Sequence, residues 1–126
     1  MRGYQSLIIW QKARALVREI YMITADLPRE EMYGLKSQLR RAVISIPSNI
    51  AEGYGRQYRP EYIRFLNIAR GSCYEVETQL ILCMDLGLLG EKQTKRAMDL
   101  LDEIGKIGNA MIKSLQRLDD QPPSKP

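Results

Sequence analysis

The stretch Pro47-Ser48-Asn49-Ile50-Ala51-Glu52-Gly53-Tyr54-Gly55-Arg56 decides how this chain folds. It places a proline, two glycines and several small residues where the surrounding pattern is that of one long helix leading into the next. Proline imposes a defined break in a helix, and glycine permits another backbone to approach closely. The stretch therefore predicts a joint at which two helices fit tightly together.

Apolar residues at helical spacing run into this stretch and through it, so the sequence predicts a second helix that continues past Pro47. Glu30 and Glu31 place negative charge where this helix would begin, which suits its N-terminal dipole. Pro47 removes one backbone hydrogen bond and crowds the carbonyl four residues earlier, so a kink is expected there. Gly53 or Gly55 is expected to supply the left-handed residue that ends the helix. The apolar residues at helical spacing, which form the stripe of this second helix, are Leu35, Leu39, Ala42, Val43, Ile46 and Ile50.

Three further helices are predicted from the same alternation of three- and four-residue steps. Helix one covers about residues 8–25, ends before Pro28, and has the stripe Ile9, Ala13, Leu16, Ile20, Ile23 and Leu27. Helix three starts at Pro60, whose fixed φ suits the first helical position, and runs to about Leu86. Its stripe is Tyr62, Phe65, Leu66, Ala69, Cys73, Val76, Leu80 and Cys83. The stripe of helix four is Ala97, Leu101, Ile104, Gly108, Met111, Leu115 and Leu118.

No strand-like alternation appears along the chain, so the predicted fold class is all-α. Short connections favour antiparallel neighbours, which predicts an up-down-up-down four-helix bundle over residues 1–118. Gly105 and Gly108 in helix four cost about 1 kcal/mol each relative to alanine, which predicts a close helix crossing there. Residues 119–126 contain three prolines and no large apolar residue, and we expect a disordered tail.

Helices one and three carry more large apolar residues than the interior of one bundle consumes. Because a soluble monomer rarely exposes large contiguous apolar patches, a homo-oligomer is expected. The alternative is that wide helix faces simply wrap the core. The residues outside the stripes are Trp10, Tyr21, Ile63, Ile68, Tyr74, Ile81 and Leu82.

The pattern of apolar residues and the cysteines predict a cytoplasmic protein with no membrane partner. Every apolar run is interrupted within a few residues, which argues against a transmembrane span, and the first residues lack the apolar centre of a signal peptide. Cys73 and Cys83 lie ten residues apart on one helix, about 15 Å along its axis, so they cannot bond to each other. We expect free buried thiols in a reducing compartment.

The residue types needed for common catalytic sites are missing. The chain contains no histidine, which excludes Ser-His-Asp, Cys-His and Glu-x-x-His di-iron arrangements, and two thiols alone do not favour zinc. Glu75 and Glu77 are two residues apart on a helix and point away from each other. Asp99, Asp102 and Glu103 share a face with basic residues, which is typical of an ion-paired surface. The sequence therefore predicts no catalytic residue, metal, cofactor or small-molecule substrate.

Positive charge concentrates between Lys36 and Arg70, where seven basic residues stand against only two acidic ones, Glu52 and Glu61. Such a surplus indicates an anionic partner. The turn after helix two also interleaves arginine with tyrosine, a combination that grips phosphates and stacks on unpaired bases. The alternative is a solvated turn whose tyrosines pack at an interface. The candidate nucleic-acid-binding residues are Lys36, Arg40, Arg41, Arg56, Arg59, Arg64, Tyr54 and Tyr58.

The joint itself is interpreted as structural. Ser45 and its small neighbours would let helix two approach helix three near Gly71 and Ser72. Asn49 and Glu52 are predicted to be partly buried hydrogen-bonding residues that fix the kink.

Several motifs stand along the predicted helices: Trp10-Gln11-Lys12-Ala13, Tyr33-Gly34-Leu35, Gln38-Leu39-Arg40-Arg41-Ala42, Ser45-Ile46-Pro47-Ser48-Asn49-Ile50-Ala51-Glu52-Gly53 and Phe65-Leu66-x-Ile68-Ala69-Arg70-Gly71-Ser72. Together they resemble the bacterial 23S rRNA intervening-sequence proteins, also called S23-like, over roughly residues 5–118. The resemblance implies an antiparallel four-helix bundle that assembles into a homopentamer without catalytic activity. At Tyr58-Arg59-Pro60 the sequence departs from the usual small polar cap, and proline can start the helix equally well.

The resemblance also suggests functions. Some relatives are encoded inside rRNA gene insertions, and a similar protein is the accessory factor of diversity-generating retroelements, where a basic pentamer engages nucleic acid and a reverse transcriptase. The leading hypothesis is a non-enzymatic, oligomeric protein that binds RNA or DNA through its phosphates. The alternative is a scaffold that docks a partner enzyme such as a reverse transcriptase. The structural motif residues are Pro47, Asn49, Glu52, Gly53, Arg70 and Gly71.

Overall fold

The computed structural model describes residues 3–119, and nearly all of them lie in helices. The four α-helices are α1 (Ile8–Thr24), α2 (Leu35–Gly55), α3 (Arg59–Asp85) and α4 (Glu91–Asp119). Short 3-10 helices at Gly3–Ser6 and Arg29–Glu31 precede α1 and α2. No strand occurs within residues 3–119, so the all-α prediction is confirmed. The tail predicted for residues 119–126 lies outside the described residues, except for Asp119 at the end of α4.

The four helices pack side by side in chain order and close into a ring. Along residues 3–119, α1 packs on α2, α2 on α3, α3 on α4 and α4 on α1. Lys12 of α1 pairs with Glu103 of α4. Seven residues further along α1, Glu19 pairs with Arg96, which lies seven residues earlier in α4. Because residue numbers rise along α1 as they fall along α4, these helices are antiparallel. Short connections give the other neighbours the same relation, and the architecture is that of a four-helix bundle.

The predicted apolar stripes form the core between these helices. Residues from all four stripes are buried, and the most deeply buried large side chains include Leu16, Ile20, Leu39, Ile46 and Leu80. Leu118 is the exception, since it is exposed near the end of α4. We attribute this to the length of α4, the longest of the four helices.

The start of α2 differs from the prediction. Glu30 and Glu31 lie in the preceding 3-10 helix, and α2 begins only at Leu35, with Gly34 as the residue before it. The carboxylate of Glu31 nevertheless accepts a hydrogen bond from the backbone N–H of Leu35 at 3.3 Å. The acidic residue therefore satisfies a free donor of the first helical turn from outside the helix.

The expected left-handed glycine at the end of α2 is wrong. The residue with positive φ in this connection is Gln57, at φ 54°, whereas Gly53 is buried inside the helix and Gly55 is its last residue. A Cβ atom at Gly53 would lie 2.7 Å from the Cβ atom of Phe65 in α3. Gly53 is thus required by the close approach of two helices and not by backbone conformation.

The middle of α2 passes through Pro47 without ending, as predicted. The two side chains directly after the proline bond to carbonyls of the preceding turn: Ser48 Oγ donates to Ile44 O at 2.9 Å, and Asn49 Nδ2 donates to Ser45 O at 2.7 Å. Asn49 is half-buried, but Glu52 is exposed, so the expected burial of Glu52 is wrong. The bend at Pro47 stays a prediction.

Close helix approach is found at some of the predicted small residues and not at others. Ser45 Oγ of α2 donates to Ser72 Oγ of α3 at 2.6 Å, so these helices do meet there. A Cβ at Gly108 would lie 3.4 Å from Ile9 Cδ1 of α1. Gly71 and Gly105 have no neighbouring atom within 4 Å of a Cβ position, so the close contact predicted at each is absent within the described chain.

Both cysteines are free and buried. Burial raises the pKa of Cys73 to about 12, with a smaller contribution from Glu77. None of the helices in residues 3–119 has the length and continuous apolar character needed to cross a lipid bilayer.

Candidate nucleic-acid interface

The candidate residues on α2 and α3 fall into two groups at opposite ends of the bundle. Lys36, Arg40 and Arg41 lie in the first two turns of α2, whereas Arg56 follows its last residue. The twenty residues from Lys36 to Arg56 correspond to about 30 Å along the helix axis. One copy of the chain therefore does not bring all the predicted basic residues into a single cluster.

Arg40 is engaged inside the bundle. Its Nε donates to Thr24 Oγ1 at 3.1 Å, and its Nη2 donates to the carbonyl of Tyr21 at 3.2 Å. The guanidinium also lies 4.2 Å from the ring centroid of Tyr21. Because Tyr21 and Thr24 form the last turn of α1, Arg40 caps that helix from its neighbour and meets the negative end of its dipole. We therefore reassign Arg40 to the structure of the bundle.

The second group surrounds the connection between α2 and α3, which we call the arginine–tyrosine turn (residues 54–64). Gln57 adopts the left-handed conformation, and Tyr58 is extended before α3 begins at Arg59. Pro60 occupies the first turn of α3, where its missing N–H is not needed. The reversal of the chain thus presents residues from the end of α2 and the start of α3 on one end of the bundle.

Two arginines of this turn flank a single aromatic ring. The guanidinium carbons of Arg56 and Arg64 lie 5.2 and 4.5 Å from the ring centroid of Phe65. The sequence pattern placed Phe65 only in the core, and no spacing rule indicates that a cation just after α2 and a cation of α3 share its ring. The ring orients both guanidinium groups at the surface, since a cation is attracted to an aromatic face.

The same arginines also form exposed ion pairs. Arg56 Nη2 lies 3.0 Å from Glu52 Oε1, and Arg64 Nε donates to Glu61 Oε2 at 2.6 Å. This hydrogen bond from Arg64 holds the pKa of Glu61 below its usual value. Pairs this exposed add little to stability because water screens them, so phosphate can replace carboxylate at little cost.

The tyrosines of the turn divide into two kinds. Tyr62 is half-buried, and burial raises its pKa. Its ring meets Tyr54 edge-on, with 6.2 Å between centroids. Tyr58 is 61% exposed and Tyr54 40% exposed, so both present apolar ring surface to solvent. Exposed rings next to oriented arginines can stack on unpaired bases.

One further arginine in each group is exposed, and the structural-motif residues of α3 lie between the two groups. Arg41 is exposed on α2, and Arg59 is exposed at the first position of α3. Arg70 and Gly71 are exposed in the middle of α3, and Arg70 Nη1 donates to Asn109 Oδ1 of α4 at 3.1 Å. Across residues 3–119, His, Cys, Asp and Glu side chains form no group of three that could hold a metal ion.

The ring of four antiparallel helices and the absence of strands in residues 3–119 define an all-helical protein class. The sequence profile of the 23S rRNA-intervening sequence proteins matches residues 5–110, and the chain belongs to that family.

A solved structure has a similar fold. The structure is similar to the crystal structure of a protein of unknown function from the S23 ribosomal protein family of Bacteroides thetaiotaomicron VPI-5482. The two share 25% sequence identity and a TM-score of 0.76, over 84% of this chain and 99% of the other. No curated protein matches the chain significantly.

Proposed function

We infer that this protein is a non-enzymatic, oligomeric nucleic-acid-binding protein whose affinity comes from arginine contacts to phosphates. The observation that carries this function is the arginine–tyrosine turn, where Phe65 orients Arg56 and Arg64 beside the exposed rings of Tyr54 and Tyr58.

The binding strength is expected to depend strongly on salt. Each phosphate contact releases condensed counterions, so the logarithm of the binding constant falls with the logarithm of salt concentration by slightly less than one for each contact. Anisotropy titrations with a labelled hairpin RNA and a labelled single-stranded DNA, from low to physiological salt, measure this slope. Absence of binding to either probe at low salt would refute the proposed function.

A pair of charge-matched variants locates the contact. Arg56→Gln with Arg59→Gln should weaken binding and reduce the salt slope by about two. Lys95→Gln with Lys106→Gln removes the same charge from exposed ion pairs on α4, at 3.2 Å to Asp99 and 3.0 Å to Asp102. If both double variants lose the same affinity, the turn is not the binding site.

The oligomer is proposed from the outer surface of α3. Four large apolar side chains of this helix are exposed: Ile68, Tyr74, Ile81 and Leu82. Burying them against another copy would remove apolar area from water, and a pentamer, as the family resemblance implies, would repeat the arginine–tyrosine turn around an axis. Light scattering on the purified protein measures the mass directly, and a monomer at micromolar concentration would contradict this part of the proposal.

The same apolar surface favours one other function, an accessory factor that docks a partner enzyme such as a reverse transcriptase. In that case the purified protein would not bind nucleic acid. It would instead co-purify with a protein encoded beside it, and replacing Tyr74 and Ile81 by serine would abolish that association.

A further inference from the structure

A polar groove runs between α3 and α4, away from the arginine–tyrosine turn. Its volume is about 350 Å³, within the range of small-molecule and nucleotide sites. Its polar lining consists of three carboxamides and two cations, with no carboxylate. The lining residues are Asn67, Arg70, Asn109, Ile112, Lys113 and Gln116.

The sequence spacing places these side chains on facing surfaces of the two helices. Asn109, Lys113 and Gln116 stand four and three residues apart on α4, which puts them on one face. Asn67 and Arg70 are three residues apart on α3. Arg70 Nη1 donates to Asn109 Oδ1 at 3.1 Å and so links the two sides of the groove.

The hydrogen-bonding capacity of the groove is not exhausted by this contact. A guanidinium group carries five N–H donors, and the bond to Asn109 uses one of them. Asn67 Oδ1 is shielded from solvent and has no hydrogen-bond partner among the described residues. An unpaired buried acceptor is unfavourable, so a ligand that displaces the side chains covering Asn67 Oδ1 and brings a donor to it would relieve it.

This combination of groups matches a nucleotide better than a simple anion. Phosphate offers only acceptors, which suit Arg70 and Lys113 but not the acceptor of Asn67. A nucleobase edge presents donors and acceptors together, and carboxamide side chains can pair with both.

The adjoining part of the groove gives the site a direction. Tyr74 lies one turn beyond Arg70, lines this part together with Arg70 and Asn109, and is 62% exposed. Glu77 lies at the same end. Its negative charge repels a phosphate at that end and so directs the phosphate toward Lys113.

We propose that the α3–α4 groove binds an unpaired nucleotide of a single-stranded RNA or DNA, with its phosphate on Arg70 and Lys113 and its base edge on the carboxamides. This inference rests on the proposed nucleic-acid-binding function and adds a second contact surface. A strand would then be held by its backbone at the turn and by an individual base in the groove.

The test is a titration of the full chain with a fluorescein-labelled twelve-nucleotide single strand. Arg70→Gln with Lys113→Gln should raise the Kd about tenfold. Lys95→Gln with Lys106→Gln removes equal charge from exposed positions of α4 outside the groove, and it should change the Kd less than about threefold. Circular dichroism melting shows whether each variant is folded.

A second variant separates base contact from charge. Asn67→Ala removes an unpaired acceptor and leaves the net charge unchanged, so the melting temperature should be kept or raised while affinity for the single strand falls. It should also reduce the difference in affinity between oligo-A and oligo-U strands. A purely structural Asn67 would lower the melting temperature and leave that difference intact, which would overturn the proposal.

The outcomes distinguish this inference from the function on which it rests. If the unmodified protein binds no nucleic acid at low salt, both fail. If it binds and loses affinity through Arg56 and Arg59 but not through Arg70 and Lys113, only the groove proposal is overturned.

Discussion

Gly53 of α2 lies so close to Phe65 of α3 that an added Cβ would stand 2.7 Å from the Cβ of the phenylalanine. The same Cβ would lie 3.2 Å from Tyr62 Cδ1. This contact fixes how α2 and α3 cross beside the arginine–tyrosine turn. It also fixes the ring on which Arg56 and Arg64 rest.

Gly53→Ala is expected to destabilise the protein. The helix-propensity gain of about 1 kcal/mol is outweighed by overpacking, which typically costs about 1–3 kcal/mol, because the nearest atom is a Cβ attached to rigid backbone. Gly71→Ala is the matched control, since its Cβ position is open and the same propensity gain should stabilise α3. Urea unfolding measures both variants, and a Gly53→Ala protein as stable as Gly71→Ala would show that the helices separate freely.

Arg40→Gln is expected to destabilise the protein by about 1–3 kcal/mol. The substitution removes two hydrogen bonds to the last turn of α1 and the contact with the Tyr21 ring. Arg40→Lys should not restore stability, because an ammonium group cannot reach two acceptors with the fixed geometry of a guanidinium. Thermal unfolding tests this against Arg41→Gln, an exposed neighbour expected to change little. Equal stability of the two variants would argue that Arg40 is free for phosphate.

The bond between Ser45 and Ser72 is expected to couple α2 to α3 energetically. Their hydroxyl oxygens are 2.6 Å apart and partly buried. The variants Ser45→Ala and Ser72→Ala and the double variant form a cycle, whose coupling energy should be about 0.5–1.5 kcal/mol. A coupling energy near zero in urea unfolding would mean that water replaces the partner without loss.

Stability should fall at alkaline pH through Cys73. In the folded protein burial raises the pKa of its thiol from 9.0 to about 12, so above pH 9 the unfolded chain releases this proton first. Because the unfolded state then binds fewer protons, the free energy of unfolding decreases with rising pH, by at most about 1.4 kcal/mol per unit, until about pH 12. Below pH 9 the thiol has no effect.

Cys73→Ala provides the comparison for this pH dependence. Other groups also titrate above pH 9, so the relevant quantity is the difference between the unfolding free energies of the original protein and the variant. The unfolding free energy of the original protein minus that of the variant should decrease as pH rises from 9. Parallel curves for the two proteins across this range would contradict the assignment.

Much of the fold follows from the spacing of apolar residues. The stripes predicted helices that begin and end within a few residues of α1, α3 and the end of α4, because burial of one face is a local, periodic requirement. The end of α2 could not be predicted in this way. The sequence offers two glycines for a left-handed end of the helix. In the structure Gly53 is instead required by the contact with Phe65, twelve residues further along the chain, and Gln57 carries the positive φ.

The candidate site was predictable only in its composition. The sequence shows that arginine and tyrosine are interleaved between residues 54 and 64. It does not show that Arg40 bonds to the last turn of α1, since its partners, the Thr24 hydroxyl and the Tyr21 carbonyl, lie sixteen and nineteen residues earlier in the chain. The polar spacing of Asn109, Lys113 and Gln116 was visible on α4, but its meaning required the facing residues of α3.

The sequence by itself determined an all-helical chain, the order of its helices and the local concentration of positive charge, because each of these depends on neighbours within a few turns. Only the tertiary structure decided which charges remain available at the surface. Side chains such as Arg40 and Arg70 reach across to another helix, and the partner they meet depends on how the helices are paired and rotated. That arrangement is set by contacts such as Gly53 against Phe65, which join residues distant along the chain.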